Sequence, residues 1–195
     1  RMAFDYRYTN DFLEKQHYGL KNVRSCVEAL AKSKYYTTLD LLSAFWQTPL
    51  DDESRRLTAV NFEDGKYEWT VMPMGLQAAS AIFQRNMDLL LAGMQPFEAM
   101  SFIDDVCVHG GDTVEEHLKI VVRVLDRIGG AGYTMRPDKC MFAMTSINWL
   151  GFHISNGAIR PDDAKTAQIA DAAFPVSSED MSSWIGLVQF LASHV

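Results

Sequence analysis

The segment "SFIDDVCVHG", residues 101–110, contains two adjacent carboxylates, Asp104 and Asp105, in an otherwise apolar run. If the segment is one continuous strand, successive side chains point to opposite faces, so one aspartate faces whatever the sheet covers. A carboxylate removed from water has to be paired, hydrogen-bonded or bound to a metal ion, which makes the segment a candidate site. The alternative is an acidic hairpin turn with both carboxylates in water, because Asp is common in turns.

A third aspartate, Asp40, ends a threonine-rich run in "TTLDLLSAFWQTPL", residues 37–50, and an aromatic residue, Phe45, follows five positions later. Carboxylates on neighbouring strands can bridge two hard cations about 3.5 to 4 Å apart, one activating an attacking hydroxyl and the other stabilising a leaving phosphate. The spacing alone does not bring Asp40 to Asp104. A two-metal phosphoryl-transfer site is therefore, at this point, one of the interpretations that the residues allow.

The composition is close to that of ordinary globular proteins, with 48% apolar and 22% charged residues over 195 positions. No run approaches the roughly 20 apolar residues of a membrane span, so no membrane partner is expected. The net charge is −7, from 18 basic and 25 acidic residues, and the acidic excess lies after residue 85. This balance argues against a non-specific nucleic-acid binder with a broad basic face, but it allows one whose basic groups are clustered.

The cysteines indicate the redox environment of the chain, and the first residue indicates whether the chain is part of a longer protein. Cys26, Cys107 and Cys140 are far apart and odd in number, which favours neither a disulfide framework nor a paired metal motif and fits a reducing, intracellular setting. Arg1 stands where a start Met is usual, so we expect a piece of a longer protein.

Hydrophobic periodicity predicts helices that alternate with antiparallel strands. Thr113 and Glu116 have the spacing of a capping box before a helix whose apolar stripe is Leu118, Val121, Val122, Leu125 and Ile128. Further helices are predicted over 23–34, 77–92, 161–172 and 178–194, a strand over 35–42, and hairpins over 56–72 and 147–159 that turn at Glu63-Asp64-Gly65 and Asn156-Gly157. A strand pair is predicted around Asp104 and Asp105. The predicted class is α+β, an antiparallel sheet with helices on one face.

Seven blocks of the sequence resemble, in order, the reverse transcriptase of gypsy-type LTR retrotransposons and, more distantly, of retroviruses. The blocks are "FDYRYTN" (4–10), "LDLLSAFWQ" (39–47), "VMPMGLQAASAIFQ" (71–84), "FIDD" (102–105), "RPDKCMF" (136–142), "NWLGFHIS" (148–155) and "VSSEDMSSWIGLVQFL" (176–191). The resemblance implies a right-hand polymerase. Its fingers would be 1–38 and 55–72, its palm 39–54 and 73–160, and the start of its thumb 161–195.

The resemblance also implies a chemistry for the three aspartates. Asp40, Asp104 and Asp105 match the catalytic carboxylates that hold two Mg²⁺ ions, or Mn²⁺, while a primer 3′-hydroxyl attacks an incoming dNTP. The implied activity is RNA-directed DNA polymerase, and the implied partners are an RNA or DNA template with its primer, dNTPs and the other domains of a polyprotein. The implied location is cytoplasmic or within a virus-like particle.

Other positions match substrate-binding residues of the family. Phe45 corresponds to the aromatic residue that excludes a 2′-hydroxyl, although an ordinary core Phe is the alternative, and Lys139 corresponds to a lysine that protonates pyrophosphate, although a surface lysine is equally compatible. Trp149 could equally belong to the core. The remaining matches are Arg1, Arg7, Met74 and Gly75 for nucleotide or template binding, and Trp149, Leu150 and Gly151 for the primer grip.

Several positions depart from the family pattern. The family commonly has Asn and Pro at Ala78 and Ser80, an arginine pair at Ala192 and Ser193, and Tyr at Phe102. These departures and the net acidity predict weak affinity for template and primer. A domesticated or decayed fold that acts as a non-catalytic binding or structural module is the alternative function, and the retention of all three aspartates favours the enzyme.

Overall fold

The computed structural model describes residues 4–14, 16, 18–171 and 174–192. In these ranges the helices are α1 (Arg7–Phe12), α2 (Val23–Leu30), α3 (Asp52–Leu57), α4 (Ala79–Leu90), α5 (Val114–Gly130), α6 (Asp163–Ala170) and α7 (Ser178–Ala192). The strands are β1 (Tyr36–Asp40), β2 (Val60–Phe62), β3 (Gly65–Tyr67), β4 (Ala99–Phe102), β5 (Asp105–His109), β6 (Met141–Met144), β7 (Ser146–Trp149), β8 (Phe152–Ser155) and β9 (Ala158–Pro161). Short 3₁₀ turns lie at Ala44–Gln47 and Pro137–Lys139.

The central sheet has four antiparallel strands in the order β4-β5-β1-β6. Strand β1 lies between β5 and β6, and its last residue, Asp40, pairs with the first residue of β5, Asp105. Strands β4 and β5 form a hairpin in which Phe102 also pairs with Asp105. The sheet therefore brings the ends of two chain segments that are 65 positions apart to the same edge.

One face of this sheet packs against α4 and α5, as predicted. Leu39 of β1 and Val106 of β5 join Phe83 of α4 and Val124 and Ile128 of α5 in one buried cluster. Each of these side chains is at most 2% exposed. Apolar residues at alternate positions of β1 and β5 therefore bury the helical face of the sheet.

The opposite face is also covered, which the sequence analysis did not predict. Tyr36 and Cys107 of the central sheet pack with Leu30 of α2 and with Trp149 and Phe152 of a second sheet, β7-β8-β9. The second sheet contains two tight turns, one of which is the predicted Asn156-Gly157 turn. Asn156 and Gly157 have φ values of 39° and 86°, the positive values that a two-residue hairpin turn requires.

The region after Asp51 differs from its prediction. Residues 56 and 57 were expected to begin a strand, but they end helix α3, because the Asp51 side chain accepts hydrogen bonds from the backbone N–H groups of Glu53 (3.0 Å) and Ser54 (2.9 Å). Such a cap stabilises the first turn of a helix. The hairpin at Glu63-Asp64-Gly65 is present, but its strands, β2 and β3, are only three residues long.

Helix α5 begins with the predicted capping box at Thr113 and Glu116. Its predicted apolar stripe is partly wrong, because Leu118 is 40% exposed and Val122 is 54% exposed. The buried face instead contains His117, whose ring nitrogens bond to the Thr37 hydroxyl (2.8 Å) and the Gly110 carbonyl (2.9 Å), together with Ile120 and Val124. These two bonds orient the helix toward the sheet.

The other predicted helices are present with shorter bounds. The helix expected over 23–34 is α2, which is capped by Asn22, and the helix expected over 77–92 is α4. The helices expected over 161–172 and 178–194 are α6 and α7, as far as the described residues extend. Within those residues, none of the helices combines the length and the apolar character that crossing a membrane requires.

Candidate active site

The segment that contains Asp104 and Asp105 is a hairpin, which confirms the predicted strand pair and excludes one continuous strand. Strand β4 ends at Phe102, strand β5 begins at Asp105, and Ile103 and Asp104 form the turn between them. Ile103 has a φ of 55°. This conformation reverses the chain within two residues and places the two carboxylates at the tip of the hairpin.

Asp40 and Asp105 lie on the same side of the central sheet. They are direct partners in the antiparallel register of β1 and β5, and side chains at directly opposite positions share a face. Their neighbours Leu39 and Val106 are buried on the face that α4 and α5 cover. Because side chains alternate along a strand, both aspartates project from the face away from these helices.

The pair is electrostatically unfavourable without a cation. Removal of water by the surrounding protein raises the pKa of Asp105, the negative charges of Asp104 and Asp40 raise it further, and Lys139 opposes the shift. Asp105 still has an exposed side chain, so this shift acts at a site open to solvent. Like charges directly opposite each other destabilise a sheet. The hairpin tip is therefore a place where a bound cation would relieve repulsion.

The oxygen donors at this site are of the type that binds a divalent cation. Carboxylate oxygens are the ligands that Mg²⁺ prefers, and Asp40 and Asp105 would supply them from two neighbouring strands, with Asp104 at the adjoining turn. Within the ranges that the structure describes, no three His, Cys, Asp or Glu side chains are grouped closely enough to hold a metal ion. The fold thus brings two carboxylates together and leaves the third beside them.

Lys139 lies next to the aspartate pair. Its Nζ is 3.8 Å from the Asp40 Oδ2, and its side chain is half exposed. The 3₁₀ turn that carries it follows Arg136, whose backbone N–H donates to the Asp40 carbonyl at 2.9 Å. Lys139 therefore lies on the surface beside the site, and its role as a proton donor stays a prediction.

Phe45 lies on the 3₁₀ turn that follows β1. Its ring is partly buried and contacts Phe83 edge to face, with centroids 5.6 Å apart and planes at 86°. The turn is attached to the next segment by Gln47, whose Oε1 accepts from the Thr134 N–H at 2.7 Å and whose Nε2 donates to the Leu42 carbonyl at 2.6 Å. Phe45 therefore has one edge in the core and part of its ring available to a ligand.

Gly75 lies in a loop that is attached to α1 by Asn10. The Asn10 Nδ2 donates to the Gly75 carbonyl and its Oδ1 accepts from the Gln77 N–H, both at 2.9 Å. Gly75 has a φ of 98°, and a Cβ at this position would lie 3.2 Å from the Phe4 carbonyl oxygen. Met74, the preceding residue, is partly buried. Sequence reasoning missed Asn10, although it ends the first block of the resemblance.

The structure describes only one of the two arginines that were predicted to bind nucleotide or template. Arg7 begins α1 with a 91% exposed side chain, and its Nη2 pairs with the Asp5 Oδ2 at 2.6 Å. That hydrogen bond lowers the pKa of Asp5. Arg1 lies outside the described residues. A role for either in nucleotide or template binding stays a prediction.

The three residues predicted to form the primer grip divide between the core and a turn. Trp149 is 5% exposed and packs in the second buried cluster, which supports the core alternative for this residue. Leu150 and Gly151 form the turn between β7 and β8, with φ values of 51° and 83°. The Gly151 carbonyl accepts from the Asp162 N–H at 3.0 Å. A role of these residues in gripping a primer stays a prediction, and Leu150 and Gly151 are the two that lie outside the core.

A buried glutamine, Gln84, was also missed from sequence. It lies on the buried face of α4, and its Oε1 accepts a hydrogen bond from the backbone N–H of Ile103 at 2.8 Å. The available signal was a polar residue inside an otherwise apolar helical face. It connects the helix directly to the turn that contains Asp104 and precedes Asp105.

Comparisons with known proteins give a consistent result. A family model described as "Reverse transcriptase (RNA-dependent DNA polymerase)" matches residues 1–154. Polyprotein P3 of Commelina yellow mottle virus is 32% identical over 197 residues, which cover 100% of this chain and 10% of that protein. The Retrovirus-related Pol polyprotein from transposon 297 of Drosophila melanogaster is 30% identical over 190 residues, which cover 97% of this chain and 18% of that protein. The chain therefore spans less than a fifth of each of these relatives.

Solved structures give the same result for the fold. A foamy viral protease-reverse transcriptase in complex with double-stranded DNA matches with a TM-score of 0.89 and 27% identity, over 97% of this chain and 33% of that one. The foamy viral protein in complex with an RNA/DNA hybrid matches with a TM-score of 0.85 and 27% identity, over 97% of this chain and 26% of that one. The expected fold of palm-and-fingers type is confirmed.

Proposed function

Because the chain belongs to the reverse transcriptase (RNA-dependent DNA polymerase) family, we propose that it carries the polymerase site of a retroelement polyprotein and extends a primer by RNA-directed addition of dNTPs. The observation that carries this proposal is the direct cross-strand pairing of Asp40 with Asp105, beside the turn that contains Asp104. Residues 1–38 and 55–72 are assigned to the fingers, 39–54 and 73–160 to the palm, and 161–195 to the start of the thumb.

The three aspartates would hold Mg²⁺, with Mn²⁺ as a possible substitute. Two such ions, when bound, activate the primer 3′-hydroxyl and stabilise the charge on the leaving pyrophosphate. Asp40 and Asp105 supply oxygen donors from two strands, and Asp104 supplies donors from the turn. Lys139, whose Nζ lies 3.8 Å from the Asp40 carboxylate, is positioned to give a proton to the leaving pyrophosphate.

The neighbouring loops would select the nucleotide. The partly exposed ring of Phe45 excludes a 2′-hydroxyl by its bulk, and the exposed backbone at Gly75 allows close approach of the nucleotide. Met74 lies on the same loop, and Arg1 and Arg7 are assigned to phosphate binding because a guanidinium binds phosphate oxygens in a bidentate manner.

The partners in this proposal are template with primer, dNTPs and further polyprotein domains. The similar foamy viral structures are complexes with double-stranded DNA and with an RNA/DNA hybrid. The finer assignment to a gypsy-type element is supported by the order of the sequence blocks and by 30% identity to transposon 297, but a viral polyprotein is similarly close. The proposed location is the cytoplasm or a virus-like particle. The comparisons give no support to a non-catalytic module.

Primer extension on an RNA template with Mg²⁺ and dNTPs tests the proposal. We expect the chain to extend the primer, and Asp104→Asn to remove extension while the protein stays folded. Asp126→Asn, which changes an exposed aspartate on α5, is the matched control and should retain activity. Extension by folded Asp104→Asn at the rate of the unsubstituted chain would falsify the assignment.

A further inference from the structure

The turn between β4 and β5, which contains Asp104, has an unfavourable backbone conformation. Ile103 is a β-branched residue with a φ of 55°, in the left-handed region that such residues rarely adopt. A conformation of this kind persists only where the surrounding structure holds it. The position of Asp104 and Asp105 therefore depends on the groups that hold Ile103.

Two contacts with the buried side of the sheet fix the position of Ile103. Its side chain packs against the buried cluster between the central sheet, α4 and α5, and its backbone N–H donates to the Gln84 Oε1 at 2.8 Å. Gln84 is 0% exposed. The acceptor is thus on the buried face of helix α4, and it contacts the turn at the residue before Asp104.

The Gln84 amide can adopt only one orientation. Its Nε2 donates to the Asp88 Oδ1 at 2.9 Å and to the Ser101 Oγ at 3.2 Å. Asp88 is ionised: burial raises its pKa, but hydrogen bonds from Lys21 and Tyr18 outweigh that effect, and the pKa is lowered overall. An ionised carboxylate only accepts hydrogen bonds, so it selects the NH₂ group and leaves the amide oxygen for Ile103.

Asp88 is itself held in place. The Lys21 Nζ lies 2.6 Å from its Oδ1, and the Tyr18 hydroxyl donates to its Oδ2 at 2.6 Å. Lys21 also donates to the Ser101 carbonyl at 3.2 Å, which connects the network to strand β4. A chain of polar contacts therefore runs from residue 18 to the catalytic turn, with Gln84 as its last member.

We infer that Gln84 is a positioning residue for the catalytic aspartates, and that Asp88 acts through it by setting the orientation of its amide. Gln84 fixes the backbone at Ile103, and the backbone at Ile103 fixes where Asp104 and Asp105 present their oxygens. This inference rests on the proposed function, because it concerns the same aspartates. Its class of ligand is a divalent cation bound by those carboxylates.

The test measures Mn²⁺ affinity by the loss of the free-ion electron paramagnetic resonance signal, together with primer extension and thermal melting. Gln84→Met removes the acceptor at similar volume, and we expect Mn²⁺ affinity to fall roughly 10-fold or more, within the range of about 10–100-fold for the loss of a group that orients ligands. We expect kcat to fall with it while KM for dNTP changes little.

Rescue and control variants separate positioning from stability. In Gln84→Glu one oxygen of the new carboxyl still accepts from the Ile103 N–H, so Mn²⁺ affinity should stay closer to the original than it does in Gln84→Met. Thr37→Val is the matched control, since it removes a fully buried hydrogen-bonding hydroxyl away from the turn. It should lower the melting temperature without changing Mn²⁺ affinity.

The outcomes are distinguishable. Unchanged Mn²⁺ affinity in folded Gln84→Met overturns the inference. If that variant does not fold, Asp88→Leu, which removes the carboxylate that selects the orientation of the Gln84 amide, is measured instead, and unchanged Mn²⁺ affinity in that folded protein overturns the inference. Loss of Mn²⁺ affinity in Gln84→Met, when the unsubstituted chain binds Mn²⁺ but extends no primer, contradicts the proposed function and supports the inference.

Discussion

Asp40 and Asp105 are direct partners across strands β1 and β5, although 64 residues separate them in the chain. Both project from the face of the sheet that α4 and α5 do not cover, with Lys139 3.8 Å from Asp40. Two carboxylates in this position repel each other unless a cation is present. The fold therefore places two mutually repelling carboxylates at the site that is proposed to bind metal ions.

Replacing Asp105 by Asn should stabilise the metal-free protein at neutral pH. The pKa of Asp105 is raised on folding, so its stabilising effect is present below the unfolded pKa and is lost as pH rises through the folded one. Because the side chain is exposed and screened by solvent, we expect a gain of only about 1 to 3 °C in melting temperature at pH 7. The gain should vanish near pH 3.

Melting curves in EDTA and in excess Mg²⁺ check this prediction. Mg²⁺ should raise the melting temperature of the unsubstituted chain more than that of Asp105→Asn, because a ligand that binds the folded state stabilises it. Asp126→Asn serves as the control and should show neither effect. An Asp105→Asn protein that melts below the original in EDTA would contradict the proposed repulsion.

Acidification should destabilise the fold through two buried histidines. Burial lowers the pKa of both His109 and His117, so each is neutral in the fold and gains its proton first in the unfolded chain. Stability is therefore lost as pH falls below the unfolded value of about 6.5, with a limiting slope of about 1.4 kcal/mol per pH unit for each histidine. Urea midpoints between pH 7.5 and 5 measure this slope.

Matched variants assign the slope to a residue. His117→Gln should flatten the decline of stability with acid, whereas His153→Gln, at a half-buried hairpin position that bonds Asn148, is the control and should not. An equal slope in both variants would mean that other groups cause the acid sensitivity.

Phe45→Ala should admit ribonucleotides. Removal of the ring opens the space that excludes a 2′-hydroxyl, and we expect the preference for dNTP over rNTP in kcat/KM to fall at least about 10-fold, or roughly 1.4 kcal/mol. Loss of the edge-to-face contact with Phe83 should also reduce stability by about 0.5 to 1.5 kcal/mol beyond the lost burial. Phe97→Ala, at a residue that is 79% exposed, is the control and should leave the preference unchanged.

Asn10→Ala should weaken nucleotide binding. It removes both hydrogen bonds that attach the Gly75 loop to α1, and loops without such contacts lose their preorganisation. We expect KM for dNTP to rise about 5- to 10-fold, since each bond is worth roughly 0.5 to 1.5 kcal/mol. Asn10→Asp keeps the acceptor for the Gln77 N–H but loses the donor to Gly75, so its KM should be intermediate. Steady-state extension kinetics distinguish the three proteins.

Binding of a template-primer duplex should depend only weakly on salt. The acidic excess after residue 85 leaves few basic groups that could contact phosphates. If about two to four phosphates are neutralised, the logarithm of the binding constant falls against the logarithm of the salt concentration with a slope of roughly −1.8 to −3.6. Arg7→Gln should reduce the magnitude of the slope by about 1. Arg123→Gln, which breaks the pair with Glu98 on another surface, should not change it. Fluorescence titrations at several salt concentrations measure these slopes, and a steep slope with tight binding would contradict the prediction.

Local chemistry was readable from the sequence. The capping box at Thr113 and Glu116 and the turn at Asn156-Gly157 were predicted and are present, because each depends on residues within a few positions of one another. The adjacency of Asp104 and Asp105 identified the site for the same reason. The match of the three aspartates to a known pattern of blocks extended that prediction to Asp40.

Long-range contacts could not be read in this way. Whether Asp40 meets Asp105 depends on the register of two strands, the hydrogen bond from Ile103 to Gln84 depends on how α4 docks on the sheet, and the exposure of Leu118 depends on how α5 is rotated. Each is set by packing among residues that are distant in sequence, and a pattern along the chain carries no direct record of such packing. Residue types therefore specified the chemistry that is possible, while docking of the helices and strands specified which residues meet to perform it.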